Sequence, residues 1–120
     1  MIDLTYSRRL ILEAELAEPP AARFVGAYQS AQQAALAVIA AAPGRARGRS
    51  DVWRLLTSAA PELAEWADFF SAVAPTVAAV QAGALVSERG AADLIRDAQG
   101  FMGDAVGWLR RREEILAEAG

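Results

Sequence analysis

At 120 residues and a net charge of −3, the chain can bury one hydrophobic core, and its overall field is wrong for non-specific binding to nucleic acid. It has no histidine and no cysteine, which excludes a Ser-His-Asp triad, a cysteine nucleophile, a Cys/His zinc site, a Glu-x-x-His di-iron bundle and a disulfide framework. All 12 basic residues are arginine, the codon bias of a GC-rich genome such as an actinobacterial one.

The pattern predicts helices throughout and one domain over residues 1–120. A first helix over 4–17 is capped by Asp3, faces Leu10, Ile11 and Ala14 inward, and ends at Pro19-Pro20. Neither its sequence, MIDLTYSRRL at the start, nor the longest apolar run, 34–42, has the length of a secretion signal core or a bilayer span. The expectation is a cytoplasmic protein without membrane contact. A second helix over 20–42 repeats Phe24, Tyr28, Ala31, Ala35, Val38 and Ala42 at helical spacing, with Gln29, Gln32 and Gln33 on the wet side.

Residues 43–50, PGRARGRS, read as a loop. Ser50 or Asp51 caps a short helix over 52–59 that carries Trp53, Leu55 and Leu56. Then comes the most apolar stretch, 61–86. Leu63, Trp66, Phe70, Val73, Val77 and Val80 form one seam, which predicts the central rod of a bundle with Trp66 and Phe70 buried at its middle and a kink at Pro75. Gly83 is the expected C-cap and Ser87 the expected N-cap of a last helix over 88–117, whose seam runs through Leu94, Ala98, Phe101, Ala105, Trp108 and Ile115. The fold class is all-α: an up-and-down bundle of four long helices and one short connecting helix.

Three groups of residues could carry chemistry. Glu62 and Glu65 with Asp68 line one helix face and Asp93 with Asp97 another, the sort of spacing at which helical nucleotide pyrophosphohydrolases hold Mg²⁺ with acidic pairs. Glu62, Glu65 and Asp93 are the candidate metal ligands. The second acidic pair is incomplete because Arg96 stands three residues after Asp93, and a solvated face explains the spacing as well. Gly100, Gly103 and Gly107 each cost a helix about 1 kcal/mol against alanine, which points to close approach of another backbone, in this chain or in a second copy. Arg45, Arg47 and Arg49, and again Arg110, Arg111 and Arg112, are candidate anion or nucleic-acid contacts. Glu113 and Glu114 follow the second cluster directly and weaken it. In an up-and-down bundle both clusters come to the same end.

The runs SDVWRLLTSAAPELAEWADFF and GALVSERGAADLIRDAQGF resemble the small actinobacterial branch of HEPN-domain proteins, from the second helix to Phe101. The resemblance implies a helical bundle that commonly dimerises. Many members are ribonucleases with the motif Arg, four to six residues, His. Here Arg96 fits the arginine, but Phe101, Met102 and Gly103 occupy the three permitted histidine positions. The resemblance therefore implies a non-catalytic member with no cofactor, a homodimer that binds a protein partner, RNA or a nucleotide, with Arg96 as a remnant, a phosphate contact or a partner for Asp93. The alternative is a Mg²⁺-dependent nucleotide phosphohydrolase using Glu62, Glu65 and Asp93.

Overall fold

The computed structural model describes residues 4–42 and 51–119. They form α1 (Thr5–Leu16), α2 (Pro20–Ala40), α3 (Val52–Ala59), a 3₁₀ turn (Pro61–Leu63) that leads into α4 (Ala64–Gln81), and α5 (Glu88–Ala119). Among the described residues there is no strand. Pro20 opens α2, where its missing N–H has no helical partner to lose. The Asp51 carboxylate accepts from the backbone N–H groups of Trp53 and Arg54 at 3.0 and 3.2 Å and so caps α3.

Gly83 ends α4 with φ at 111°. Its N–H donates to the Val80 carbonyl and that of Ala84 to the Ala79 carbonyl, the paired bonds of a Schellman turn. Ser87 caps α5 by accepting from Gly90 N–H at 2.9 Å. The expected cap Asp3 lies outside the described residues.

Opposed contacts fix the helix directions. Ser7 meets Ser30 and Ala14 meets Gly26, so α1 and α2 are antiparallel. Arg23 pairs with Glu88 near one end and Arg112 donates to the Ala41 carbonyl near the other, so α2 and α5 run parallel. Glu62 meets Trp108 and Trp66 meets Asp104, so α4 returns antiparallel to α5. At 1.5 Å per residue the 32 residues of α5 are about 48 Å long, close to the 50 Å long axis of the molecule.

The centre of the bundle is α2, a correction to the sequence-based expectation. It packs against α1, α3, α4 and α5. Its alanines 27, 31, 34 and 35 are fully buried, and their small side chains let four neighbours approach at once. The large residues of the α4 seam fill the space between helices and form a wall. Leu63, Phe70, Val77 and Val80 are buried there, whereas Ala72, Pro75, Thr76 and Ala79 face outward. Among the described residues, Pro61–Gln81 is also the stretch long and apolar enough to cross a membrane by length and composition.

Two further expectations fail. Trp66 is only partly buried, at the edge of the core. Ile115 is 65% exposed because α5 continues past the described parts of its neighbours: every residue from 113 to 119 is exposed.

Candidate functional site

The aromatic core decides what stands at the histidine position of the ribonuclease motif. Phe101 is 0% exposed and packs against Trp53, Trp66 and Phe70 at ring-centroid distances of 6.3, 5.9 and 5.5 Å. Trp53 stacks on Phe70 at 5.0 Å and donates its indole N–H to the Tyr28 hydroxyl at 2.9 Å. An imidazole at position 101 would sit in this dry cluster, away from solvent. Arg96 points the other way. Its side chain is largely exposed and pairs with Asp93 at 3.2 Å, one turn back on α5. Such a surface pair contributes at most about 1 kcal/mol.

The carboxylates divide. Glu62 and Glu65 line a groove of about 420 Å³ between α4 and α5, together with Trp66, Phe69, Asp97 and Asp104. Asp93 is not among the lining residues. Among the described residues, no group of three or more carboxylates stands close enough to hold a metal ion. The sequence reading did not place Asp104 or Phe69 in a site. The spacing contained the signal: Glu62, Glu65 and Phe69 step by three and four from the 3₁₀ turn into α4, and Asp97, Gly100 and Asp104 do so along α5.

The three glycines of α5 have different surroundings. A Cβ at Gly100 would stand 3.2 Å from the Trp66 ring, one at Gly107 would stand 3.3 Å from the Arg111 guanidinium, and one at Gly103 would meet nothing within 4 Å. The close backbone approach in this chain is elsewhere, at Gly26, where a Cβ would come within 2.9 Å of the Ala14 Cβ. Sequence spacing did not single that glycine out.

Of the arginine clusters, Arg45, Arg47 and Arg49 lie outside the described residues. Arg110 and Arg111 are exposed. Arg112 is structural: its Nε donates to the Ala41 carbonyl at 3.0 Å and its guanidinium lies 5.7 Å from the Trp108 ring centre. It thereby brings a charged donor to a carbonyl at the negative end of the α2 dipole.

A family model described as SAV_6107-like HEPN matches residues 14–106. The chain belongs to the HEPN family. The HEPN match takes in α2, α3, α4, the aromatic core and the whole α4–α5 groove, and it stops before Arg110. No curated protein and no solved structure matches the chain.

Proposed function

We propose that this HEPN domain is a non-catalytic helical module that works as a homodimer and acts by binding a protein partner. The observation that carries the reading is Phe101. Where the ribonuclease motif calls for a histidine facing its arginine, this chain has a fully buried phenylalanine that belongs to the packing of the core. Arg96, engaged with Asp93 on the opposite surface of α5, supports the same reading. The described surface around Glu62, Glu65, Asp97 and Asp104 is acidic, which favours protein over nucleic acid as the partner.

The test has two arms. Purified protein is incubated with single-stranded RNA in EDTA. No cleavage is expected, and cleavage lost in Arg96→Ala would overturn the non-catalytic reading. Light scattering at tens of micromolar is expected to give the dimer mass, and a monomer mass would remove the homodimer.

A further inference from the structure

We propose that the α4–α5 groove docks an arginine-bearing segment of a partner protein. This deepens the reading of the chain as an interaction module and rests on it.

The floor of the groove is aromatic. Phe69 is 37% exposed although it is a large apolar side chain, and its ring meets Trp66 edge-on, 6.2 Å away with the planes 86° apart. The Trp66 indole is held in place. Its N–H donates to Asp104 Oδ2 at 2.7 Å and its ring stacks on Phe70, 6.0 Å away. The floor is therefore set before any partner arrives, which lowers the ordering cost of binding. Around it stand Glu62, Glu65, Asp97 and Asp104, and no basic residue lines the groove. Of the described arginines on α5, Arg96 pairs with Asp93, and Arg111 and Arg112 line the adjoining cleft beside Glu62 and Trp108.

This combination selects the occupant. A bare metal ion needs several oxygens converging on one point, and these carboxylates are spread around two rings with no such cluster among the described residues. A phosphate backbone would be repelled. A guanidinium meets both demands: it is planar and weakly hydrated, it stacks on aromatic faces, and its donors match carboxylates. A lysine ammonium, more strongly hydrated, would fit the rim less well and the floor hardly at all.

The experiment is a fluorescence-anisotropy titration of the full chain with a labelled peptide carrying three arginines in a Gly/Ser background. A trilysine peptide of the same length is the comparison. Binding that weakens with salt is expected, and the arginine peptide should bind more tightly. Glu65→Gln with Asp97→Asn should weaken it about tenfold, on the order of two lost surface pairs. Phe69→Ser should weaken it about threefold through the lost ring contact. Glu13→Gln with Glu118→Gln makes the same change in net charge away from the groove and should leave the affinity within about twofold.

Absence of binding overturns the proposal, as does equal weakening by both double variants, which would mean that only the overall field acts. Dissolution of a homodimer by Glu65→Gln with Asp97→Asn would give the groove to a second copy and overturn the partner assignment. If the groove variant retains a protein that the wild-type chain captures from cells, the groove inference falls while the interaction-module reading stands.

Discussion

The edge of the Trp66 indole lies against Gly100: a Cβ at that position would stand 3.2 Å from Cη2 and 3.4 Å from Cζ2. With the indole N–H bonded to Asp104 at 2.7 Å, the ring bridges α4 to α5 and cannot easily swing away. Gly100 thus makes room for a side chain of the same chain. That accounts for one of the three glycines in the last helix through packing inside the monomer.

The glycines should therefore respond differently to alanine. Gly103→Ala adds a methyl group in open space and removes the helix penalty of glycine, so the monomeric fold should gain up to about 1 kcal/mol. Gly26→Ala drives a methyl into Ala14 at the α1–α2 crossing, and overpacking of that kind costs about 1–3 kcal/mol. Gly100→Ala should fall between them, its helix gain offset by displacement of Trp66. Urea unfolding of the three variants gives the order, and a stabilised Gly26→Ala would show that the α1–α2 contact is loose.

Phe70 is fully buried and touches Tyr28, Trp53, Trp66, Phe69 and Phe101. Truncation to alanine should cost about 3–5 kcal/mol, the lost transfer energy plus the cavity. A loss below about 1 kcal/mol in chemical denaturation would be incompatible with this core.

How far the sequence was legible follows from the kind of signal each residue carries. Asp51, Gly83 and Ser87 act within a few residues of themselves, so the caps and turns they make could be read directly. Phe70 and Phe101 lie on strong apolar seams and were legible as core. Centrality was not, because large side chains mark where space is filled and give no sign of which helix has most neighbours. The buried alanines of α2 have that role. The α4–α5 groove was half legible: each face shows its own three-and-four spacing, but the register that sets Phe69 and Trp66 beside Asp97 and Asp104 arises from tertiary packing.

The homodimer reading meets a direct check at Gly103, which is exposed and has open space around it in the monomer. If the outer face of α5 forms the interface, Gly103→Leu should separate the copies while leaving the helical signal in circular dichroism unchanged. Sedimentation of the variant at tens of micromolar is the measurement. A dimer that persists would move the interface off this face.

The last prediction separates Arg112 from its neighbours. Arg110 and Arg111 are exposed, whereas Arg112 is partly buried, bonded to the Ala41 carbonyl at 3.0 Å and seated 5.7 Å from the centre of Trp108. Hydrogen bonds from a charged donor contribute about 1.5–3 kcal/mol, and an exposed cation–π contact adds about 0.5–1. Arg112→Ser should therefore destabilise the fold by roughly 2 kcal/mol, and Arg112→Lys should recover only part of it because an ammonium lacks the flat fork that reaches the carbonyl and the ring together. Arg110→Ser with Arg111→Ser should change stability by less than about 0.5 kcal/mol, as surface changes usually do. If this end of the bundle also contacts nucleic acid, the double variant is the one that should flatten the salt dependence of binding, by a slope of about 0.7 for each lost contact on single strands. Thermal unfolding and a salt titration with single-stranded RNA measure the two effects independently. A neutral Arg112→Ser would remove its role at the end of α2 and return all three arginines to the solvated surface.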